Sequence, residues 1–244
     1  MNKILNTRRF GKLLAYDTHL MWRRMGVFML VIMTIPALTV LFPKLTDLSP
    51  DPNTRIAPIL IAVAIVSALT PVILYGDCNL KDDGITFAMR PASKFEKFLS
   101  MILFSFVVCP AITLIGCTII DTILWLIPST PVKESLLSID LTRNSVYPPL
   151  VIYYAYLCVI NITTSVFLFL NTVLASNKIV AGIGIYLILF IVVEIEFFVR
   201  LNFYISENNP DSILIETPFI EFVFTAITVM LIAASWIRIK KMKN

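Results

Sequence analysis

Long apolar runs separated by short polar connections dominate the pattern of this chain. A run of about twenty apolar residues, wound as an α-helix, covers the roughly 30 Å of hydrocarbon in a bilayer. Six such runs can be marked, at residues 25–42, 56–75, 98–127, 146–175, 179–199 and 219–237. The pattern predicts an all-α polytopic membrane protein in which six transmembrane helices form a single domain, residues 1–244.

The third and fourth runs have about thirty residues each, more than a perpendicular span needs, so we expect them to tilt, kink or project beyond the bilayer. Pro110 in the third run offers a kink because proline removes one backbone hydrogen bond. The sequence Tyr147-Pro148-Pro149 predicts the start of the fourth helix.

Composition supports a membrane location. Apolar residues make up 58% of the chain and charged residues 15%, with a mean hydropathy of +0.86. Soluble domains average about 45–50% apolar and 25% charged residues. A single soluble core is therefore excluded.

The basic residues between the runs predict the orientation. With the N-terminus inside, fifteen Lys and Arg residues fall on the cytoplasmic side and five on the other: Lys44, Arg55, Lys133, Arg143 and Arg200. The positive-inside rule therefore places both termini in the cytoplasm and requires an even number of spans. Because the net charge of +4 resides in these topology signals, we expect no nucleic-acid partner.

Residues 9–24 have the pattern of an amphipathic interfacial helix that precedes the first span. At 100° per residue one side collects Phe10, Leu13, Leu14 and Met21, and the other collects Lys12, His19 and Arg23. Such a helix is expected to lie in the cytoplasmic headgroup layer with its basic face toward anionic lipid. Asp17 falls on the apolar side and departs from this pattern. The alternative is a plain cytoplasmic extension.

The motifs of common enzymes are missing from the sequence. Gly11-Lys12 is the only Gly-Lys pair, and it has Asn6 where a P-loop has its first glycine and Leu13 where the Mg²⁺-binding hydroxyl belongs. His19 is the only histidine, so neither a zinc protease helix nor a Ser-His pair can be assembled. We therefore predict no catalytic residues, no metal site and no enzymatic activity in this chain.

Four acids are predicted at membrane depth near the outer leaflet: Asp121, Glu194, Glu196 and Glu221. Ionisable groups at such depth often line a transport pathway, which here would be an acidic exit vestibule. Alternatively, each acid reaches the outer interface or pairs locally, as Glu196 can with Arg200 one helical turn further on.

The second cytoplasmic connection, residues 77–97, is the most informative segment. Gly84 marks a turn, and residues 85–89 form a short apolar segment that Pro91 ends. Ser93 and Glu96 have the spacing of a capping box at the start of the next helix, which continues into the third span. A short apolar helix at the membrane surface is a natural docking element for a soluble partner.

The sequence from Gly84 through Pro91-Ala92-Ser93-Lys94-x-Glu96-Lys97-Phe98-Leu99 resembles the membrane subunit of bacterial ABC exporters of the type-2 permease class. The resemblance implies a location in the bacterial cytoplasmic membrane and a coupling helix that docks on a separate ATPase subunit. By position, the ATPase-coupling residues are Gly84, Ile85, Thr86, Phe87, Met89, Arg90, Pro91, Ser93 and Lys94.

The same resemblance implies that ATP and Mg²⁺ bind to the partner ATPase, so this chain needs no cofactor of its own. It also implies a second permease subunit, identical or homologous, so that the complex is a homodimer or heterodimer of permeases. The alternative function is that of an ATP-independent multi-pass membrane protein, either a secondary transporter or an immunity or scaffold protein. The sequence does not indicate the substrate.

Overall fold

The fold was examined in a computed structural model that describes residues 5–41, 52–79, 87, 90–127, 149–174, 177–185 and 213–241. The helices are α1 (Thr7–Leu41), α2 (Pro52–Tyr75), α3 (Lys94–Leu103), α4 (Cys109–Leu126), α5 (Pro149–Val173), α6 (178–185) and α7 (Ile213–Lys241). A 3₁₀ turn, Gly76–Asn79, follows α2, and a π-helical turn, Phe104–Val108, joins α3 to α4. No strand occurs within these described ranges.

Four helices in the described part are long and apolar enough to cross a membrane: Thr7–Leu38, Pro58–Tyr75, Lys94–Leu126 and Val223–Lys241. They overlap most of the first, second, third and sixth predicted spans. The fourth predicted span corresponds to α5, a helix of 25 residues that is described from Pro149 to Val173. The side chains of α5 are described from residue 160 on, and that part, Ile160–Val173, is apolar. The fifth continues past residue 185, outside the described residues, so the count of six remains a prediction.

Helix α1 is one continuous helix of 35 residues, and it runs beside the α3–α4 helix. Asp17 contacts Ser100 near one end, and Met33 lies against Gly116 further along. Both pairs of positions are sixteen residues apart, about 24 Å of helix at 1.5 Å per residue. The two helices therefore advance together, and the missing side chain of Gly116 permits their close approach.

The structure does not confirm a separate interfacial helix at residues 9–24. These residues are helical, but they form the first part of α1, without a break before the apolar part. The predicted apolar side does face inward, since Leu13 and Met21 are buried. It packs on neighbouring helices of the same chain, because α3 extends beside it.

The third span departs from a regular α-helix just before Pro110. In the π-helical turn, the N–H of Cys109 donates to the carbonyl of Phe104, five residues earlier. Pro110 has no N–H, so a regular α-helix would lack one backbone hydrogen bond at this place. The predicted irregularity therefore takes the form of a wide turn next to the proline, a common way for a helix to accommodate such a defect.

The start of α1, the start of α3 and the end of α7 lie at the same end of the helix bundle. Arg9 of α1 pairs with Glu96 of α3. The ammonium group of Lys94 donates to the carbonyl of Lys240 at 3.3 Å. The ring of Trp236 packs on Phe98 with 5.2 Å between ring centroids. We call this the terminal end of the bundle.

Two glycines of α6 give a matched pair for testing helix packing. A Cβ atom at Gly182 would overlap the buried ring of Phe167 on α5, whereas one at Gly184 would meet no atom within 4 Å. We expect Gly182→Ala to destabilise the protein by about 1–3 kcal/mol through overpacking. Gly184→Ala should be neutral or stabilising by up to about 1 kcal/mol, because alanine favours helix. Thermal unfolding in detergent measures both, and equal melting temperatures for the two variants would contradict the packing.

Candidate functional site

A buried carboxylate, Asp17, joins three helices to the end of the second connection. Its side chain is 1% exposed. The hydroxyl of Ser100 on α3 donates to Asp17 Oδ2 at 2.5 Å, and the hydroxyl of Tyr75 at the end of α2 lies 3.1 Å from the same oxygen. Arg90 donates from its guanidinium to Asp17 Oδ1 at 3.0 Å. We call these four residues the Asp17 cluster.

The guanidinium of Arg90 is also held by aromatic faces. It lies 4.8 Å from the ring centroid of Tyr16 on α1 and 5.2 Å from that of Phe87. A cation over an aromatic ring is attracted by the ring quadrupole, by about 0.5–2 kcal/mol depending on how far it is desolvated. The guanidinium of Arg90 is therefore held by the carboxylate of Asp17 and by the rings of Tyr16 and Phe87.

A second buried acid, Glu96, ties α1 to the start of α3. Glu96 accepts the backbone N–H of Asn6 at 2.8 Å. It also accepts two guanidinium hydrogen bonds from Arg9, at 2.8 and 2.9 Å. The backbone N–H of Ser93 donates to it, and the Ser93 side chain accepts from the Glu96 N–H, which confirms the predicted capping box. We call this set, Asn6, Arg9, Ser93 and Glu96, the Glu96 cluster.

Phe87 also attaches the second cytoplasmic connection to α3. Its side chain is 8% exposed, and its carbonyl accepts a hydrogen bond from the ammonium group of Lys97 at 2.7 Å. The same ammonium group lies 5.2 Å from the centroid of the Phe87 ring. Because Lys97 belongs to the first turn of α3, Phe87 is held directly to the start of α3.

The structure describes five of the nine predicted ATPase-coupling residues. Phe87 and Arg90 turn toward the interior, Pro91 is exposed, and Ser93 and Lys94 are half-buried. The remaining four, Gly84, Ile85, Thr86 and Met89, lie outside the described residues. The exposed surface of this segment therefore includes Pro91 with Ser93 and Lys94 beside it.

Of the four acids predicted near the outer leaflet, the structure describes the side chain of one. Asp121 is buried on α4. Glu194 and Glu196 lie outside the described residues, and Glu221 belongs to α7 without a described side chain. Both interpretations of these acids remain predictions. Among the described residues, no group of three or more His, Cys, Asp or Glu side chains is placed to hold a metal ion.

Sequence reasoning missed the roles of Asp17, Tyr75 and Ser100. A signal for Asp17 existed, because a carboxylate on the apolar side of an amphipathic helix needs a buried partner. Its partners could not be identified, since Arg90 and Ser100 lie 73 and 83 residues away in the chain.

A third polar cluster joins α5 and α6 to the end of α2 and to the 3₁₀ turn that follows it. Asn171 on α5 donates from Nδ2 to the carbonyls of Pro71 and Tyr75, at 2.9 and 3.0 Å. The buried ammonium group of Lys178 on α6 donates to Asn171 Oδ1 at 3.0 Å and to the carbonyl of Gly76. A positive group beside the last carbonyls of α2 also complements the helix dipole. We call Asn171 and Lys178, with the carbonyls they bind, the α2 cap cluster.

Comparison with known proteins gave no match to a protein-family model, a curated protein or a solved structure. The four long apolar helices indicate an all-helical membrane protein.

Proposed function

We propose that this chain is the membrane-spanning permease subunit of a bacterial ABC exporter, which moves a substrate across the cytoplasmic membrane using ATP hydrolysed by a separate ATPase subunit. The observation that carries the proposal is the set of contacts made by the last residues of the second cytoplasmic connection. Arg90 and Glu96 form ion pairs with Asp17 and Arg9 of α1, and the capping box of Ser93 and Glu96 begins the 33-residue helix Lys94–Leu126.

Such an attachment suits the transfer of force. A partner that displaces the connection pulls on α3 through the peptide chain and on α1 through Arg90 and Glu96. Because packed interiors deform little, contiguous contacts of this kind carry a displacement to the other end of a helix. In the proposed function, the connection therefore transfers a movement of the ATPase to α1 and α3, and movement of these helices opens the transport pathway.

The ATPase-coupling residues within this proposal are Gly84, Ile85, Thr86, Phe87, Met89, Arg90, Pro91, Ser93 and Lys94. Phe87 is buried against its own chain, so its proposed role is to support the connection from beneath. Among the described residues, the exposed Pro91 and the half-buried Ser93 and Lys94 offer surface to the ATPase. Two ATPase subunits and a second permease, identical or homologous, complete the complex, and ATP and Mg²⁺ bind to the ATPase.

The proposal predicts a gene for an ABC ATPase beside the gene of this chain, and it is tested by co-expression of the two. We expect the tagged chain to retain that ATPase during purification from membranes, and Pro91→Glu with Lys94→Glu to reduce the retained ATPase severalfold without loss of membrane insertion. His19→Glu, a charge change on the exposed side of α1, serves as the matched control and should retain the ATPase.

The alternative, an ATP-independent transporter or scaffold, predicts the opposite outcome. A chain that transports its substrate in liposomes without any ATPase would contradict the proposal. So would a chain that never retains the ATPase while remaining folded.

A further inference from the structure

The hydroxyl group of Ser105 lacks the partner that comparable hydroxyls of the helix bundle have. Ser105 is fully buried in the π-helical turn. Within the described part of the chain, its Oγ is the buried side-chain oxygen that has no hydrogen-bond partner. By contrast, Thr70 and Thr113 each donate to the carbonyl four residues earlier on the same helix. A buried polar group without a partner is unfavourable, so its presence in this turn needs a physical reason.

The backbone of the same turn also lacks a donor. The N–H of Cys109 donates to the carbonyl of Phe104, five residues earlier. The next bond of this kind would run from Pro110 to the carbonyl of Ser105, and proline has no N–H. A regular α-helix would instead join Cys109 to Ser105, four residues earlier. The missing donor and the unpaired hydroxyl thus belong to one turn.

The helices on the two sides of this turn are attached to different neighbours. Before the turn, the hydroxyl of Ser100 on α3 donates to Asp17 of α1 at 2.5 Å. After it, Cys109 at the start of α4 lies beside Thr70 of α2. Because α3 and α4 are held separately, a movement of one relative to the other is taken up in the turn between them.

We infer that the π-helical turn is a joint with two hydrogen-bond registers, and that α3 rotates relative to α4 when the register changes. In the described register the hydroxyl of Ser105 is unpaired. In the second register the N–H of Cys109 bonds to the carbonyl of Ser105, and the hydroxyl of Ser105 donates to the carbonyl of Met101, four residues earlier. Each backbone bond then spans one residue fewer, so α3 turns about its own axis.

The bond between Ser100 and Asp17 holds α3 in the described register. Rotation of α3 carries the hydroxyl of Ser100 away from the carboxylate, so this bond breaks before the turn closes. A hydrogen bond to a carboxylate is stronger than one to a carbonyl, and the described register is therefore favoured in the isolated chain. The inference rests on the proposed function only for the source of the force, since a displaced connection pulls α3 away from Asp17.

A matched pair of substitutions tests whether the hydroxyl of Ser105 is unpaired. Ser105→Ala removes a hydroxyl without a partner and should leave the melting temperature in detergent within about 1 °C of that of the unchanged protein. Thr113→Val removes a buried hydroxyl that donates to a carbonyl of the same span, and should lower it by about 2–4 °C. An equal loss in the two variants would show that Ser105 has a partner and would overturn the inference.

Amide hydrogen exchange of the chain in nanodiscs, without an ATPase, tests whether the register changes. Residues 104–109 should exchange at least about tenfold faster than residues 111–117 of α4, because each change of register opens the turn. Pro110→Ala supplies the missing N–H, favours the α-helical register and should slow this exchange severalfold. Ser100→Ala releases α3 from Asp17 and should speed it severalfold.

Gly182→Ala, which loosens the contact between α5 and α6, is the control for general destabilisation and should leave the ratio of the two exchange rates unchanged. Equal exchange in the two segments would overturn the inference, and so would a ratio that Ser100→Ala leaves unchanged, which decides the matter if Pro110→Ala does not fold. Because these measurements contain no ATPase, their failure leaves the proposed function to its own test. A chain that fails to retain the ATPase but shows the expected exchange would retain the joint.

Discussion

Replacing Asp17 by alanine is expected to lower the free energy of unfolding by about 3 kcal/mol, because it breaks a buried ion pair from one side. The change leaves the guanidinium of Arg90, whose side chain is 15% exposed, without its carboxylate. It also removes the acceptor of the Ser100 and Tyr75 hydroxyls. For a chain of this size, about 1 kcal/mol corresponds to roughly 2–4 °C in melting temperature, so thermal unfolding in detergent should show a drop of roughly 6–12 °C.

Two further variants test the assignment of that loss to the Asp17 cluster. His19→Ala lies two residues on, on the exposed side of α1, and should unfold like the unchanged protein. The double variant Asp17→Ala/Arg90→Ala should lose less than the sum of the two single changes, since no uncompensated charge remains. Asp17→Ala melting together with His19→Ala would show that the cluster does not support the fold.

The second large effect is expected at the α2 cap cluster. Asn171→Leu removes two hydrogen bonds to carbonyls of α2 and one acceptor from the ammonium group of Lys178. Loss of a partner by a buried polar or charged group costs about 1–3 kcal/mol or more, so we expect a loss near the upper end of that range. Thermal unfolding measures it, and Asn161→Leu, the same change at a half-buried position of α5, is the matched control.

A rescue experiment makes this prediction sharper. Lys178→Met in the Asn171→Leu background removes the ammonium group that has lost its acceptor, and should recover part of the stability. If the double variant is less stable than Asn171→Leu alone, or if Asn161→Leu has the same effect as Asn171→Leu, Lys178 does not depend on Asn171 in the way the geometry indicates.

The clusters have different consequences within the proposed function. The Asp17 and Glu96 clusters attach the connection to the moving helices, so their loss should weaken coupling as well as stability. The hydrogen bonds of the α2 cap cluster named above join α5 and α6 to the end of α2 and involve no residue of the range 87–97. A complex with a weakened α2 cap cluster should therefore lose stability without a selective loss of ATPase retention.

The capping box shows how far local spacing can predict a site. Ser93 and Glu96 are three residues apart, and that separation alone brings the side chain of each to the backbone of the other at a helix start. The additional bonds of Glu96 to Arg9 and Asn6 could not be predicted, because they join positions 87 and 90 residues apart. The ion pair of Arg90 with Asp17 could not be predicted either, because these two residues lie 73 positions apart in the chain.

The sequence by itself determined the helical character of the protein, four of its long apolar helices and the capping box, because these depend on residue spacing within one helix and on the apolar length that a bilayer requires. Tertiary structure decided that residues 9–24 continue into the first apolar helix and that Asp17 is the centre of a buried cluster. Periodicity identifies the residues that share a face, but only the packing of helices determines what that face meets.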